Sequence, residues 1–508
     1  MKLTESKNIK LGIILSYCGL IVSILGSLFI SNRVLNYIGD YNYGLYSFVN
    51  SITSWITVVS SALTASFLRF TSIEAKDNDG NVARTNTLYL KLLSFLGAAI
   101  LLLGLIIIGY LYICGIHLGS YSWEDSKLMY LLFAFSVINI AITMPTNVWS
   151  LYISYRKQFV FQKTISIIIT LLNFAGHFFI AYFTRNILLI SVYSILITII
   201  TFLFNYCFSK KELGIDFQPI KISENGRLVK SIIFFSSILL FNSIVDQINS
   251  DVDKTLLGIF SVPQDITLYQ MGQYFPYYVG TMAVAISGVF APSINSMVVN
   301  EKREEVNSLF FNVSRLQAIV VCCITFGFIS CGKDFVIWWL GEQRITSYYI
   351  ASILMLLNIM PLSVKTSIDI QRAMNKHKFR SGMFFFVALL NVLISIALLK
   401  VMPKKYAVYA CVLGTVMASV LTQWIAMNIY NCKVIKLPMK AFLKRLIMCI
   451  LYGVVGYAVV YFERTLILSS VESTLIKFII EGLTFIAVYG VFILIFERKF
   501  LVKYLKKK

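Results

Sequence analysis

The stretch SIIFFSSILLFNSIVDQINSDVDKTLLGIF, residues 231–260, decides the fold of this 508-residue chain. Most of it is apolar, and about 20 apolar residues suffice to carry a helix across the hydrocarbon core of a bilayer. Four of its polar residues recur at the spacing i, i+4, i+7 and i+11, which places them on one face of a helix. They are Asn242, Asp246, Asn249 and Asp253. The stretch therefore predicts a membrane-spanning helix with one polar face.

Composition extends this prediction to the whole chain. Hydrophobic residues make up 58% and charged residues 14%, and the mean hydropathy is +0.78, whereas about 25% of the residues of a soluble domain are charged. Long apolar runs predict about fourteen spanning helices and exclude a membrane β-barrel, whose strands alternate over about ten residues. The runs begin near residues 11, 44, 88, 127, 160, 187, 231, 267, 309, 347, 380, 406, 442 and 473. The predicted fold class is an all-α polytopic membrane protein.

The basic residues set the expected orientation. Most of the 45 Lys and Arg residues fall in the tails and loops that are cytoplasmic if both termini are cytoplasmic, which is the pattern of the positive-inside rule. The net charge of +21 is therefore attributed to topology and to anionic lipid headgroups rather than to nucleic acid. The opening MKLTESKNIK is also typical of a signal peptide, but no small-residue cleavage site before a soluble domain follows it, so we expect a first span.

Cysteines, histidines and nucleotide motifs give no sign of a cofactor. The nine cysteines are scattered without C-x-x-C spacing, and the three histidines form no cluster in the sequence. We therefore expect neither a metal site nor a disulfide. Because the chain also carries no GxxxxGK[ST] motif, we expect any transport to be driven by an ion gradient rather than by nucleotide hydrolysis.

An internal repeat predicts two lobes. GLYSF at 44–48 resembles TLYQM at 267–271, and ITMPTNVWSLYISYR at 142–156 resembles NIMPLSVKTSIDIQR at 358–372. These pairs, and a third that shares Leu-Leu-Asn, occur in the same order at nearly constant separation, as the internal repeats of transporters do. Each copy holds six spans. Because six is even, both copies enter the membrane from the same side and form parallel repeats.

The polar connection at residues 209–230 is expected to be a cytoplasmic linker between these copies. The prediction therefore places an N-lobe of helices 1–6 at 1–208 and a C-lobe of helices 7–12 at 231–430. Helices 13 and 14 and a basic cytoplasmic tail follow at 431–508. Two such lobes can enclose a cavity and open it to alternate sides of the membrane.

The acids of the seventh span are the first candidate site. A charge at the bilayer centre costs about 2.5–3.5 kcal/mol, so buried charges usually face a partner or a water-filled cavity. Asp251 and Lys254 lie on a second polar stripe and are close enough along a helix to form a local ion pair. With Asp246 and Asp253, the segment holds three acids against one base. This excess also suits a proton or cation site, and both interpretations remain open.

Two more charged pairs occur one helical turn apart. Lys365 and Asp369 follow a proline in the tenth predicted span, where they either satisfy each other or leave the lysine facing a cavity. Lys477 and Glu481 in the last predicted span have the same spacing, which is typical of a structural ion pair.

Three arginines are further candidates. Arg33 ends the first predicted span and Arg69 the second, and each could either extend to lipid headgroups or contact a substrate. Arg315 lies in the ninth predicted span, where its charge calls for a partner or a cavity.

Two motifs and the 6+6+2 division of spans carry a resemblance to a known family. The segment NRVLNYIGDYNYGLYSF at 32–48 has a basic residue, a short loop and YG-x-Y, and the segment at 251–260 reads D-x-D-K-x-x-L-G-x-F. In these features the chain resembles the polysaccharide-transport branch of the multidrug/oligosaccharidyl-lipid/polysaccharide (MOP) exporter superfamily, and within it the O-antigen or capsule-unit flippases.

The resemblance implies a MATE-like fold and a non-enzymatic flippase. It implies that undecaprenyl-phosphate-linked oligosaccharides move from the inner to the outer leaflet of the bacterial plasma membrane by alternating access, coupled to a proton or sodium gradient. The implied partners are this lipid-linked substrate, membrane lipids and a polysaccharide polymerase with its chain-length machinery. The protein itself is expected to work as a monomer.

The resemblance also gives the charged residues their expected roles. Basic side chains bind phosphate oxygens through charge-assisted hydrogen bonds. The bases expected to contact phosphate or acidic sugar are Arg33, Arg69, Lys254, Arg315 and Lys365. The acids expected to carry the coupling ion or to neutralise these bases are Asp246, Asp251, Asp253 and Asp369.

Two alternatives remain open at this stage. A drug or cation antiporter of the same superfamily would normally have about twelve spans and fewer basic residues in its cavity. A membrane polysaccharide polymerase or glycosyltransferase would need a sizeable outer loop with catalytic groups, whereas the predicted outer loops are short.

Overall fold

The chain folds into helices. The computed structural model describes residues 5–77, 81–117, 121–221, 225–288, 290–374, 376 and 378–498, and all regular secondary structure among them is helical. The α-helices are α1 (Glu5–Gly26), α2 (Asn32–Ile38), α3 (Asp40–Asp77), α4 (Ala83–Ile113), α5 (Trp123–Tyr155), α6 (Phe159–Thr184), α7 (Ile187–Lys211), α8 (Gly226–Phe260), α9 (Pro263–Gly288), α10 (Ala291–Val299), α11 (Arg303–Leu340), α12 (Thr346–Ser363), α13 (Thr366–Ala373), α14 (Lys378–Val401), α15 (Ala407–Ser419), α16 (Met427–Lys433), α17 (Met439–Leu466) and α18 (Thr474–Phe496).

The number of spans agrees with the sequence. Among the described residues, 13 helices are long and apolar enough to cross a membrane. The segments Pro263–Gly288 and Ser293–Val299 form a fourteenth candidate that is bent by 48°. The predicted all-α polytopic fold with about fourteen spans is therefore confirmed.

Large apolar side chains cover the outside of these helices. Ile113, Phe183 and Leu466 are examples that remain strongly exposed. A soluble protein rarely exposes contiguous apolar surface of this extent. These faces therefore fit contact with lipid rather than with water.

The first packing unit comprises residues 1–267 and includes α8. Its core holds Phe67, Tyr89 and Trp149, and the Tyr89 hydroxyl lies 2.6 Å from Ser66 Oγ. Packing thus groups the seventh span with the first six, whereas the predicted lobe boundary lies at residues 209–230. The sequence repeat and its lobes stay a prediction.

The contact between α8 and its neighbours in the first unit is close. The Tyr121 hydroxyl donates a hydrogen bond to the Gly258 carbonyl at 2.7 Å. A Cβ atom on Gly258 would overlap the Phe48 ring of α3. Glycine at this position lets α8 approach α3 closely enough to bring their polar side chains together.

The second packing unit comprises residues 268–508, and α11 is central to it. Phe310 and Phe326 of α11 share a buried cluster with Phe442 of α17 and with Phe485 and Tyr489 of α18. The Tyr489 hydroxyl also donates to the backbone carbonyl of α11, 3.0 Å away at Ile319. The two additional helices predicted at the end of the chain are therefore part of the core of this unit.

A matched pair of glycine variants tests the helix packing. A Cβ atom on Gly44 of α3 would overlap the Pro263 carbonyl oxygen, whereas a Cβ on Gly109 of α4 meets nothing within 4 Å. Overpacking typically costs about 1–3 kcal/mol, while alanine in a helix gains up to about 1 kcal/mol over glycine. We expect Gly44→Ala to lower the melting temperature of the detergent-purified protein and Gly109→Ala to leave it unchanged or raise it. Equal melting temperatures would contradict the close α3 contact.

Candidate functional site

Polar side chains of α3 and α8 meet inside the first unit and centre on Asp251. We define the α3–α8 polar seam as Ser51, Ser54, Gln247, Asp251, Lys254 and Thr255. The carboxylate of Asp251 forms an ion pair with Lys254. It also accepts hydrogen bonds from Gln247 Nε2 at 2.6 Å and from Ser54 Oγ at 3.2 Å. Asp251 therefore has one charged and two neutral partners.

The rest of the seam ties the two helices together. Gln247 Nε2 donates to Ser54 Oγ at 2.6 Å, and Thr255 Oγ1 donates to Ser51 Oγ at 3.2 Å. The side chains of Lys254 and Asp251 are only 13% and 17% exposed. Pairing and hydrogen bonding offset the cost of placing both charges there.

Of the interpretations open from the sequence, the structure thus shows the local Asp251–Lys254 pair. Asp253 is buried two residues further along the helix. The predicted counter-charge Asp246 lies in α8, but its side chain is outside the described residues. The sequence singled out the α8 residues by their helical spacing and missed the serines of α3. Small hydroxyl residues are common throughout the chain, and nothing in the sequence shows which of them face another helix.

Arg33 and Arg69 are both exposed in the first unit. Arg33 lies at the start of α2, and Arg69 lies in α3 with its guanidinium 4.2 Å from the centre of the Phe235 ring. Such a cation–π contact contributes about 0.5–1 kcal/mol at an exposed site and uses none of the hydrogen-bond donors of the guanidinium. Their exposure is compatible with both expected roles, contact with lipid headgroups and contact with a substrate.

Lys365 and Asp369 belong to a break in the helices of the second unit. The proline that precedes them lies inside α12, which continues to Ser363, and α13 begins again at Thr366. Asp369 forms an ion pair with Arg372 at 3.7 Å. Burial raises the pKa of Asp369, and the charges of Arg372, Lys365 and Arg380 oppose that rise. The charges of three bases thus act on this acid, and the sequence singled out only Lys365.

The chain matches one known protein family. Residues 38–349, more than half of its length, match the family described as polysaccharide biosynthesis protein. The chain belongs to that family. No protein among the curated sequences matches it significantly.

Solved structures share the fold. Lipid II flippase MurJ in an inward closed conformation is 17% identical with a TM-score of 0.71, and the match covers 97% of this chain and 99% of MurJ. A MATE transporter in complex with MaL6 is 13% identical with a TM-score of 0.59, covering 84% and 97%. A point mutant of the Vibrio cholerae MATE transporter VcmN is 13% identical with a TM-score of 0.57, covering 86% and 99%. The family match bears out the predicted resemblance to a polysaccharide family, and the shared fold bears out the predicted MATE-like architecture.

In this polysaccharide biosynthesis protein, two ion networks join α18 to the rest of the second unit. Arg315 of α11 forms an ion pair with Glu497, whose side chain is almost fully buried, and its Nε donates to Glu497 Oε2 at 2.6 Å. The sequence nominated Arg315 as a substrate contact, and this role stays a prediction. Its buried partner at the end of α18 favours a structural role.

The second network corrects the expected Lys477–Glu481 pair. Glu481 is fully buried, and Arg464 of α17 binds it through two hydrogen bonds of 2.7 Å, from Nε to Oε1 and from Nη2 to Oε2. Arg464 Nη2 also pairs with Asp334 of α11. The expected pair was wrong because spacing identifies neighbours along one helix, whereas the arginine approaches from the next helix with a planar fork that fits a carboxylate.

Replacing each base tests this correction. Arg464→Met leaves Glu481 buried without its charged partner, and breaking a buried ion pair costs about 3–5 kcal/mol. Lys477→Met removes a base that does not hold the acid. We expect a large drop in the melting temperature for Arg464→Met and little change for Lys477→Met, and the double variant Arg464→Met/Glu481→Gln should recover part of the loss. Equal effects of the two single variants would restore the Lys477–Glu481 pair.

Proposed function

We propose that this protein is a flippase that moves undecaprenyl-phosphate-linked oligosaccharide from the inner to the outer leaflet of the bacterial plasma membrane. The observation that carries the proposal is that a polysaccharide biosynthesis protein has the fold of a membrane transporter. The connection between α7 and α8 spans only residues 212–225, so the described residues offer no soluble domain for catalysis there. A transport step of polysaccharide synthesis fits this architecture better than an enzymatic one.

The charges of the described helices suit such a cargo. A phosphorylated glycan must pass about 30 Å of hydrocarbon, and basic side chains lower the free energy of its phosphates through charge-assisted hydrogen bonds. Basic side chains that could bind phosphate in this way include the exposed Arg33 and Arg69 and the bases whose charges act on Asp369. Arginine presents a fork that can bind phosphate with two bonds, whereas lysine acts as a point charge.

Lys254 would act by exchange of partners. In the structure it is neutralised by Asp251, and a phosphate oxygen would compete with that carboxylate. Asp251 would keep Gln247 as a donor, and it shares the Ser54 hydroxyl with the Ser51 carbonyl, so release of the lysine leaves the acid still solvated by the protein. The nearby Asp253 and Asp246 and the separate Asp369 remain our candidates for the coupling ion or for counter-charge.

Coupling and cellular context belong to the same proposal. We expect a proton or sodium gradient to drive alternating access, with both termini in the cytoplasm. A polysaccharide polymerase and its chain-length machinery would use the exported units, and the flippase itself would act as a monomer. The polymer could be O-antigen, capsule or another glycan.

A drug or cation antiporter is the second candidate function. The MATE transporters that share the fold favour it, whereas the higher TM-score of MurJ and the family of this chain favour a lipid-linked glycan. Transport of a dye cation by the purified protein in liposomes, with no response to lipid-linked glycan, would support the antiporter. Glycosyl transfer by the purified protein would support a polymerase or glycosyltransferase.

Deletion of the gene tests the proposed function. Without a flippase, lipid-linked glycan should accumulate on the inner leaflet and surface polysaccharide should fall, because the headgroup cannot cross hydrocarbon unaided. The measurement is the leaflet distribution of radiolabelled lipid-linked glycan in spheroplasts, with plasmid-borne protein as the rescue control. Unchanged surface polysaccharide in the deletion strain would refute the proposal.

Two lysine variants test the charge assignment. Lys254→Ala and Lys365→Ala each remove a proposed phosphate contact, and a hydrogen bond to a charged group contributes about 1.5–3 kcal/mol, or about 10- to 100-fold in binding. We expect glycan export to fall by this order while membrane insertion persists. Lys302→Ala is the matched control, because Lys302 forms an exposed ion pair with Glu305. Full export by both test variants would make the two lysines structural.

A further inference from the structure

A polar pocket opens inside the first unit, between α3, α5 and α7. It has a volume of about 230 Å³, and none of the side chains that line it is charged. Helix α3 contributes Asn50, Ser54 and Thr57, helix α5 contributes Asn139, and helix α7 contributes Ser191. The α3 residues recur at helical spacing, so one face of the helix forms the wall.

Two residues that line this pocket each carry a buried polar atom without a partner among the described residues. Ser191 is only 6% exposed, and its Oγ forms no hydrogen bond; Asn139 Oδ1 is also buried and unpaired. Leaving a buried polar group unsatisfied costs about 1–3 kcal/mol, so most such groups in proteins find a partner. Both residues line the pocket, which makes a ligand in the pocket a candidate for that partner.

The chemistry of the lining identifies the ligand class. Asn139 Oδ1 accepts hydrogen bonds, and the Ser191 hydroxyl both donates and accepts. Hydroxyl groups of a sugar can meet both requirements, whereas a phosphate offers acceptors and favours basic partners. Tyr46 and Phe135 add aromatic surface to the lining, against which the apolar face of a sugar ring can pack. The volume lies below the range of about 300–1,000 Å³ for drug-sized pockets and suits one sugar ring.

We propose that this pocket binds one neutral sugar ring of the glycan that the protein carries. The proposal rests on the proposed flippase function and assigns a place to the uncharged part of its substrate. Ser54 connects the pocket to the α3–α8 polar seam, because its Oγ donates to Asp251 and accepts from Gln247. A sugar in the pocket therefore lies next to the ion pair that we assign to phosphate.

Binding to purified protein in nanodiscs tests the pocket. The probes are undecaprenyl pyrophosphate alone and the same lipid carrying one glucose, galactose or N-acetylglucosamine residue. We expect at least one glycosylated probe to bind about tenfold more tightly than the bare lipid, which corresponds to about 1.4 kcal/mol. Equal binding of the bare and all glycosylated probes overturns the pocket and leaves the flippase proposal in place. Binding of none of the four probes overturns the flippase proposal itself.

Variants of the lining identify the pocket as the source of this preference. Asn139→Leu replaces the unpaired amide by an apolar group of similar size, and we expect it to abolish the tenfold preference without changing the affinity for the bare lipid. Thr57→Val is a milder variant at the exposed rim and should reduce the preference. The control for Thr57→Val is Thr170→Val on α6. The hydroxyls of Thr57 and Thr170 each donate to a backbone carbonyl of their own helix, but Thr170 does not line the pocket.

The Thr57→Val and Thr170→Val pair also covers the case in which the Asn139→Leu variant misfolds. If Asn139→Leu does not yield monodisperse protein, the Thr57→Val and Thr170→Val pair decides the result. A reduced preference in Thr57→Val alone supports the pocket. An unchanged preference in Thr57→Val, or an equal loss in Thr170→Val, overturns it.

Discussion

A charge inside a hydrocarbon layer needs either a partner or water, and this requirement organises both units of the protein. In the first unit, Asp251 and Lys254 neutralise each other and take neutral donors from α3. In the second unit, Arg464 forms an ion pair with buried Glu481 of α18, and Arg315 forms one with buried Glu497 directly after α18. The surrounding apolar residues supply the area that holds the helices in the bilayer. The charged pairs determine which helix faces meet, because any other arrangement of the helices would leave a charge in hydrocarbon without a partner.

The second unit shows how this requirement fixes helix order. Helix α11 carries Arg315 in its first half and Asp334 near its end, and each joins a network that includes α18. Two anchors far apart along one helix define the register of α18 against it. Phe326 and Phe485 then pack between the anchors, where a sliding helix would open a cavity. The two last helices are thereby part of the framework of the unit.

Hydropathy predicted the class of fold and the number of spans, because these depend on residues near one another in the chain. The polar face of Asn242, Asp246, Asn249 and Asp253 stays a prediction, because the side chains of Asn242, Asp246 and Asn249 lie outside the described residues. The identities of partners on other helices were not accessible in this way. Glu481 illustrates the limit: Lys477 is its neighbour along α18, but Arg464 holds it from α17. Ser54 shows the same limit. It meets Gln247 because Gly258 lets α8 approach α3, and the sequence of α3 alone does not reveal this contact. The packing of α8 with the first six spans likewise depends on such contacts between helices.

The hydrogen bonds of Ser54 connect the proposed sugar pocket to the proposed phosphate site. Asp251 has three kinds of partner: a lysine, an amide and a hydroxyl. If phosphate takes the lysine, the amide and the hydroxyl still solvate the carboxylate, which lowers the free-energy cost of the exchange. If a sugar hydroxyl takes the Ser54 hydrogen bond at the same time, Asp251 keeps only Gln247 of these three partners, and the free-energy cost of the exchange rises. Recognition of sugar and of phosphate would then be energetically coupled through a single serine, without any charged group entering the sugar pocket.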